Sequence, residues 1–241
     1  MKLEHTVALI TGASRGLGLE IARLYAARGA QLVIAARHPG PLEEAAQELR
    51  AKTDVVSMAL DVSQDAERLV AAGLNRFGRI DVLINNASEL GPSPMPELAD
   101  LPWQDMERIL RVNVTAPLHL TQLVLPQMRA RGGGVVINVS SDAGVEAYPG
   151  WGGYGASKAA LEHLSRVLAA EVAGSGIRVY VVDPGDMNTE MHRFAEPGVD
   201  LSGLPGPEVA APAFVYLAEH EPAQFGRFSA REMAGALAAG R

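Results

Sequence analysis

Short apolar runs rich in β-branched residues alternate with longer amphipathic stretches along the chain. The runs are continuously apolar and do not alternate with polar residues, as is typical of strands buried on both faces of a parallel sheet. They predict strands at 6–11, 31–35, 55–60, 81–85, 135–139 and 177–182, and a weaker seventh strand at 226–230. The stretches between them predict helices at about 16–28, 41–52, 64–76, 102–130, 155–173 and 207–219.

This alternation of strand and helix predicts an α/β fold of the Rossmann type. We expect a doubly wound, mostly parallel, seven-stranded sheet with helices on both faces. No linker or internal repeat interrupts the 241 residues, so we expect a single dinucleotide-binding and catalytic domain over 1–241. A Gly- and Pro-rich segment at about 186–206 predicts a loop over a site, and the tail at about 231–241 is expected to be mobile or helical.

The overall composition excludes several classes of function. Hydrophobic residues make up 48% of the chain and charged residues 20%, which suits a buried core and argues against disorder. The net charge of −7 comes without a basic stripe, so we expect no nucleic-acid partner. Cysteine is absent and the six histidines are scattered, so we expect no metal site. With no apolar signal region and no long apolar run, we expect no membrane association and a cytoplasmic location.

A glycine-rich turn follows the first predicted strand and leads directly into a helix. It reads Thr11-Gly-Ala-Ser-Arg-Gly-Leu-Gly18. Gly12 permits a tight turn, Gly16 lets backbone N–H groups approach a pyrophosphate, and Gly18 lets the helix pack closely on the strand. The helix N-terminus then presents unpaired donors and a partial positive charge to the anion. Glycines also mark ordinary turns, but the strand–turn–helix context predicts nucleotide binding.

The end of the second predicted strand indicates which dinucleotide binds. NAD sites usually place an acid there to hold the adenosine ribose, whereas this chain has Ala36 followed by Arg37. A guanidinium attracts a 2′-phosphate, and Arg15 in the glycine turn can reach the same region, so we predict NADP(H) as the cofactor. Arg37 could also be a solvated loop residue. Asp61 and Val62 could contact the adenine or form a helix N-cap region.

Tyr154 and Lys158 are four residues apart and therefore share one helix face. A phenol has a pKa of about 10, and a nearby ammonium lowers that pKa by stabilising the phenolate. The pair could then exchange a proton with an alcohol near neutral pH. Ser140 and Ser141 end the preceding strand at the carboxyl edge of the sheet, where a hydroxyl could bond the substrate oxygen.

In these features the chain resembles the short-chain dehydrogenase/reductase family. The resemblance covers residues 6 to about 218, and its motifs occur in the family's order. They are the TGxxxGxG turn at 11–18, Asp61-Val62, Asn85-Asn86-Ala87, Asn113, Ser141, the Tyr154-x-x-x-Lys158 pair, and Pro184-Gly185 with Thr189. Ser141 lies thirteen residues before Tyr154, the family's interval, which favours it over Ser140.

The resemblance implies an NADP(H)-dependent oxidoreductase that interconverts a carbonyl and a primary or secondary alcohol, with reduction favoured. Tyr154 would be the acid and base, Lys158 would lower its pKa and hold the nicotinamide ribose, and Ser141 would orient the carbonyl. Asn113 would hold a water that links Lys158 to solvent, although it could also cap or kink a long helix. The residues implied to bind the cofactor are Gly12, Ser14, Arg15, Gly16, Leu17, Gly18, Arg37, Asp61, Val62, Asn86, Ala87, Tyr154, Lys158, Pro184, Gly185 and Thr189.

Two segments depart from the family's pattern. Ser88 stands where relatives usually have glycine after Asn-Asn-Ala, and we expect the turn to adjust to its side chain. The segment 228–233 stands where the family typically has a segment similar to Val-Asp-Gly-Gly. In relatives this region often forms contacts between subunits, and we do not expect the same contacts from the different sequence here.

The expected partner is a small carbonyl or alcohol substrate, apolar or aromatic in character. The residues expected to line its space are Glu146, Tyr148, Trp151, Met187, Met191 and His192. The resemblance also implies a homodimer or homotetramer. The main alternative is a catalytically silent NADP(H)-binding sensor or scaffold, but such proteins typically lose the Tyr, Lys or Ser. A nucleotide-sugar epimerase would need a larger domain after Pro184 than this chain has.

Overall fold

The computed structural model describes residues 1–239, and within them seven strands form one sheet. The strands are Val7–Thr11 (β1), Gln31–Ala36 (β2), Val55–Ala59 (β3), Val82–Asn85 (β4), Gly134–Val139 (β5), Ile177–Asp183 (β6) and Phe225–Ser229 (β7). Their order is β3-β2-β1-β4-β5-β6-β7, and every neighbouring pair is parallel. The predicted Rossmann-type fold is therefore confirmed, including the weak seventh strand.

The helices follow the predicted order, with their ends displaced by a few residues. They are Gly16–Ala27 (α1), Pro39–Arg50 (α2), Ala66–Phe77 (α3), Trp103–Leu110 (α4), Ala116–Arg131 (α5), Gly152–Glu171 (α6), Glu190–Ala195 (α7), Ala211–His220 (α8) and Ala230–Ala239 (α9). Proline in the first turn sets the starts of α2 and α8, because its missing N–H is tolerated there. Gly78, with φ of 74°, ends α3 in the left-handed conformation that glycine adopts freely.

Two helical features were not predicted from the sequence pattern. The predicted helix 102–130 is interrupted by a π-helical segment, Arg111–Thr115, between α4 and α5. The predicted loop at about 186–206 contains α7. The tail at about 231–241, which was expected to be mobile or helical, is helical as α9 up to its last described residue. Residues 240–241 of that tail lie outside the described part of the chain.

The core consists of two apolar layers, one on each face of the sheet. Successive strand residues point to opposite faces, so Leu9 and Ile10 on β1 are both fully buried but lie in different layers. Helices α1, α2 and α8 cover the face of Ile10, and α3, α5 and α6 cover the face of Leu9. This double coverage explains why the strand sequences are continuously apolar.

The order of the strands determines where a ligand can bind. From β1 the chain first builds outward through β2 and β3, and then returns to place β4 on the other side of β1. In open sheets of this kind, ligands bind in the crevice at the carboxyl ends of the strands where the order reverses. The crevice here lies beyond Thr11 of β1 and Asn85 of β4. None of the helices within residues 1–239 combines the length and the apolar character needed to cross a bilayer.

Candidate functional site

The glycine turn at the end of β1 has the geometry of an anion cradle. Gly12 has φ of 66°, and a Cβ on Gly18 would collide with the Gly12 carbonyl oxygen. Helix α1 begins at Gly16, and within residues 1–239 no side chain caps it and no acid lies in its first turn. Its N–H groups and the positive end of its dipole are therefore directed at the crevice, as a pyrophosphate requires. Ser14 is half-buried in the turn, and the Leu17 side chain is buried in the core beneath it.

The segment that follows β4 holds this turn in place. Asn86 Nδ2 donates to the carbonyl oxygens of Thr11 at 2.9 Å and Gly12 at 3.1 Å. Thr11 Oγ1 accepts from the backbone N–H groups of Asn86 at 3.0 Å and Ala87 at 2.9 Å. These bonds cross the crevice between β1 and β4. Thr11 was not among the predicted site residues, although it opens the motif that identified the turn.

Both predicted phosphate-binding arginines lie at the crevice, and each is paired with a carboxylate. Arg15 pairs with Glu190, the first residue of α7, and Arg37 Nη1 lies 3.1 Å from Glu89 Oε2. About half of each guanidinium side chain is exposed, so these pairs are weak and either arginine can exchange its partner. Sequence reasoning did not anticipate the two acids. Ala36 leaves the end of β2 without a carboxylate of its own.

The loops after β3 and β6 place the remaining predicted cofactor residues. Asp61 Oδ1 accepts the backbone N–H of Ser63 at 2.9 Å, and Val62 is buried in the apolar layer beside α3, so both stabilise the local turn. After β6, Pro184 leads into Gly185, which has φ of 73°.

Thr189 brings the segment after Pro184 against the glycine turn. Its hydroxyl accepts the N–H of His192 at 3.3 Å and so caps α7. Its methyl group lies 3.9 Å from the position that a Cβ on Gly16 would occupy. Together with the Arg15–Glu190 pair, this contact places α7 along the edge of the crevice.

Tyr154 and Lys158 lie on the buried face of α6. The helix begins at Gly152, earlier than predicted, so Tyr154 is in its first turn. Only 8% of Tyr154 and 2% of Lys158 is exposed. Lys158 Nζ donates to the Val139 carbonyl oxygen at 2.8 Å and lies 5.3 Å from the centre of the Tyr154 ring. The helix and the end of β5 therefore bring the cation, the phenol and Ser141 together.

Burial dominates the protonation of both groups. It raises the pKa of Tyr154 above its ordinary value, while the nearby hydroxyls of Ser88 and Ser141 act in the opposite direction. It lowers the pKa of Lys158 to about 8, against the attraction of Glu162. The sequence led us to expect a Tyr154 pKa lowered by Lys158. The direction differs because the phenol is desolvated by burial.

The two serines after β5 have different surroundings. Ser140 is buried, and its hydroxyl donates to Glu162 Oε1 at 2.6 Å. Ser141 is half-buried, and its hydroxyl donates to Asp142 Oδ1 at 2.9 Å and accepts from the Ala143 N–H at 3.2 Å. The Ser141 hydroxyl is therefore the one placed at the surface of the crevice.

Asn113 occupies the π-helical segment and ties it to the segment after β4. Its Nδ2 donates to the Glu89 carbonyl at 2.8 Å and to Ser157 Oγ at 2.9 Å. Its Oδ1 accepts from the Glu89 N–H at 2.7 Å and from Ser88 Oγ at 3.2 Å, so the departure at Ser88 is accommodated by a hydrogen bond. Pro117 has no N–H, so the Asn113 carbonyl lacks the donor that an α-helix supplies four residues on. π-Helical segments of this kind are frequent at functional sites.

A cavity of about 560 Å³ adjoins the start of α6. Of the residues expected to line the substrate space, Glu146, Tyr148 and Trp151 line this cavity. Met187, Met191 and His192 do not line it. Tyr154 itself does not line the cavity. The Trp151 ring packs edge-on against the Tyr154 ring at 5.8 Å between ring centres, so Trp151 lies between the cavity and the phenol.

Comparison with known proteins agrees with this geometry. Residues 6–199 match the sequence profile of the family described as short chain dehydrogenase. The chain is 38% identical over 192 residues to the 2-(R)-hydroxypropyl-CoM dehydrogenase of Xanthobacter autotrophicus, with 78% of this chain and 77% of that protein covered.

Two solved structures have the same architecture. A short chain dehydrogenase of Pseudomonas syringae superposes with a TM-score of 0.88 at 32% identity, covering 95% of this chain and 96% of the other. A short chain dehydrogenase of Shigella flexneri in complex with NADP superposes with a TM-score of 0.86 at 28% identity, covering 95% and 98%. The chain therefore belongs to the short-chain dehydrogenase/reductase family of oxidoreductases, whose members use a nicotinamide cofactor.

Proposed function

We propose that the protein uses NADP(H) to interconvert a carbonyl and a primary or secondary alcohol, working mainly as a reductase. The observation that carries the proposal is the convergence of Ser141, Tyr154 and Lys158 at the carboxyl edge of the sheet. The Lys158 ammonium bonded to Val139 at 2.8 Å and the ring of Tyr154 form one buried acid–cation unit. A group of this kind suits proton transfer to an oxygen that gains charge.

In the proposed mechanism the side chains position the substrate oxygen and supply its proton. The Ser141 hydroxyl donates a hydrogen bond to the carbonyl oxygen, and Tyr154 donates the proton that the oxygen takes up. The raised pKa of Tyr154, caused by its burial, keeps the phenol protonated at neutral pH, which suits reduction. Lys158 stabilises the charge left on the phenol oxygen and binds the nicotinamide ribose. The nicotinamide supplies the hydride when it is bound.

Asn113 is proposed to complete the site through its main chain. Its side-chain donors are both used within the protein, so a bridging water toward Lys158 would bind the carbonyl that Pro117 leaves without an α-helical donor. This assignment makes the π-helical segment part of the proton path.

The crevice fits a dinucleotide phosphate. The uncapped N-terminus of α1 and the missing Cβ atoms of the glycine turn supply a cradle for the pyrophosphate. Arg15 and Arg37 supply two exchangeable cations for a 2′-phosphate, and Ala36 presents no acid against it. The Shigella flexneri relative in complex with NADP supports the same choice of cofactor. Asp61, Val62, Pro184, Gly185 and Thr189 would border the bound cofactor.

The substrate and assembly expected from the sequence remain proposals. The wall of Tyr148 and Trp151 favours a small apolar or aromatic carbonyl compound. A homodimer or homotetramer is expected because the family typically forms oligomers. The single-domain organisation and the cytoplasmic location stay predictions from the sequence.

The test is a fluorescence titration of NADPH and NADH against the wild type and Arg37→Asp. We expect the wild type to prefer NADPH by about 100-fold and the variant to lose this preference, since a carboxylate repels the 2′-phosphate. An NADPH-consumption screen over aldehydes, ketones and quinones then measures turnover. Equal binding of both dinucleotides by the wild type would overturn the assignment to NADP(H). Tight NADPH binding without turnover of any carbonyl would favour a silent sensor instead.

A further inference from the structure

A buried carboxylate lies on the same face of α6 as the proposed reacting groups. Glu162 follows Lys158 by one helical turn and Tyr154 by two, and only 5% of its side chain is exposed. Its Oε1 accepts from Ser140 Oγ at 2.6 Å and from Arg227 Nε at 2.9 Å. Both bonds are made by Oε1, while Oε2 lies 3.8 Å from Arg166 Nη2. The carboxylate is therefore held inside the protein, directly behind the site.

Arg227, on β7, extends this contact to the other elements of the site. Its Nη2 donates to the Ser141 carbonyl at 3.2 Å and lies 3.4 Å from Asp183 Oδ2 at the end of β6. Asp183 Oδ1 in turn accepts the Gly185 N–H at 3.0 Å. One guanidinium thus joins the end of β5, the helix α6 and the turn after β6.

A pair of this kind is expensive as a means of stabilising the fold. Removing the Glu162 carboxylate from water is unfavourable, and apolar residues of similar size often stabilise a protein equally well. Arg227 keeps 29% of its side chain exposed, so the desolvation cost falls mainly on Glu162. The planar fork of arginine, however, fixes three acceptors in space at once. The three acceptors here belong to the segments that carry Ser141, Lys158 and Gly185.

We propose that Glu162 and Arg227 are positioning residues for the reaction, Arg227 by fixing the Ser141 main chain and Glu162 by placing a buried negative charge one helical turn from Lys158. The inference rests on the proposed function for its catalytic meaning, while the structural effects are measurable without it. Neither residue touches the proposed substrate position.

The effect of Glu162 on Lys158 has a defined direction. Burial lowers the pKa of Lys158 to about 8, and the negative charge of Glu162 opposes this lowering. Replacing Glu162 by glutamine removes the opposing charge, so Lys158 loses its proton at lower pH. Besides Arg227, other charged or titratable groups surround Glu162 and Lys158. They are Tyr154 and Arg166 on α6, Asp183 on β6 and Asp142 in the short 3-10 helix after β5.

The chain offers a direct readout of Lys158, because its only lysines are Lys2, Lys52 and Lys158. Lysine labelled with ¹³C at Cε gives three NMR signals, and the Lys158 signal is the one missing from Lys158→Arg. In Glu162→Gln we expect its titration midpoint to move to lower pH than in the wild type. The measurement uses the full chain without cofactor or substrate.

The second readout is amide hydrogen exchange at the segments that Arg227 holds. In Arg227→Met we expect amide exchange at 141–144 and 185–186 to accelerate about tenfold, as loss of one charge-assisted hydrogen bond implies. In both variants we expect kcat for carbonyl reduction to fall about tenfold, with KM changed less than about threefold. Arg227→Lys should restore part of this loss, because it keeps the charge without the fork.

Arg178→Met is the matched control. Arg178 lies on the neighbouring strand β6, is exposed to a similar extent as Arg227, and contacts Glu221 at 3.7 Å and Gln224 at 3.2 Å at the opposite end of the sheet. We expect this variant to change neither the Lys158 titration nor exchange at 141–144.

Two results would overturn the proposal: an unshifted Lys158 midpoint in Glu162→Gln, or unchanged exchange at 141–144 in Arg227→Met. Should a single variant fail to fold, Glu162→Gln combined with Arg227→Met removes both charges of the Glu162–Arg227 pair and takes its place in both measurements. A wild type without carbonyl turnover would contradict the proposed function alone, since the NMR and exchange readouts need no activity.

Discussion

The two halves of the crevice use charge in different ways. At the cofactor end, Arg15 and Arg37 are half-exposed and pair with acids from other segments. At the other end, Lys158, Glu162 and Arg227 are linked through short hydrogen bonds to main-chain and side-chain partners, with the lysine and glutamate buried. Exposed charges exchange partners at little cost, whereas buried charges depend on every bond they make.

This difference separates recognition from chemistry. The glycine turn offers backbone N–H groups to a phosphate, and the arginines around it adjust affinity and choice of dinucleotide. The buried end controls protonation, because desolvation there changes the pKa of Tyr154 and Lys158. Substitutions at the cofactor end should therefore change binding, and substitutions at the buried end should change turnover and its pH dependence.

The largest expected effect comes from Tyr154→Phe. Removing the proton donor should lower kcat/KM for carbonyl reduction by about 10³- to 10⁴-fold, while NADPH affinity changes little. Steady-state kinetics and fluorescence titration measure the two quantities. Tyr25→Phe is the matched control, because the Tyr25 hydroxyl is also buried and donates to the Phe214 carbonyl at 3.0 Å far from the crevice. That control should cost about 1 kcal/mol of stability and leave turnover unchanged. Retention of turnover in Tyr154→Phe would contradict the proposed mechanism.

The second effect concerns Lys158 and pH. Its pKa in the folded chain is about 8, below the ordinary 10.5, so the unfolded chain binds the proton more tightly. The contribution of Lys158 to the free energy of unfolding is therefore lowest below pH 8, and it rises as the pH goes from 8 to 10.5. At neutral pH, Lys158→Met should be more stable than the wild type by about 1–2 kcal/mol, after loss of the bond to Val139 is counted.

Urea unfolding at pH 7 and pH 9.5 checks this prediction. The advantage of Lys158→Met should shrink at the higher pH, because the wild-type lysine is then largely neutral in the folded chain. Carbonyl reduction by the wild type should decline as the pH rises through about 8, since the cation beside Tyr154 is lost. If Lys158→Met is less stable than the wild type at both pH values, burial of the Lys158 ammonium does not destabilise the folded chain.

The parts of the molecule that depend on local pattern could be predicted from the sequence. Continuous apolar runs indicated the parallel strands, and the Thr11–Gly18 motif indicated the turn and its helix. The motif intervals also brought Ser141, Tyr154 and Lys158 into one region, as the fold requires.

The parts that depend on tertiary neighbours could not be predicted. Arg227 and Glu162 are 65 residues apart and meet only because β7 pairs with β6 beside α6. The direction in which the Tyr154 pKa is shifted depends on burial of the phenol, and burial cannot be read from the sequence motif. The acids beside Arg15 and Arg37 come from distant segments. Glu162 alone had a local signal, since it lies four residues after Lys158 on the same helix face.

The smallest effect sharpens the comparison at the cofactor end. Glu89 holds Arg37 at 3.1 Å and contributes a carboxylate near the proposed 2′-phosphate. Glu89→Gln should tighten NADPH binding by about threefold, because it frees the half-exposed Arg37 guanidinium and removes the repulsion between the Glu89 carboxylate and the 2′-phosphate. NADH affinity should stay constant, since NADH lacks the 2′-phosphate.

Glu43→Gln provides the control, because the Glu43 carboxylate pairs with Arg50 at 2.7 Å on the outer surface of α2. Titrations at low and high salt should show the gain of Glu89→Gln shrinking as salt screens the charges. A gain of the same size for NADH would mean that Glu89 acts on the shape of the crevice and not on Arg37. Weaker NADPH binding would mean that the Arg37–Glu89 pair positions the arginine for the phosphate, so that the exposed end of the crevice is also organised by its bonds.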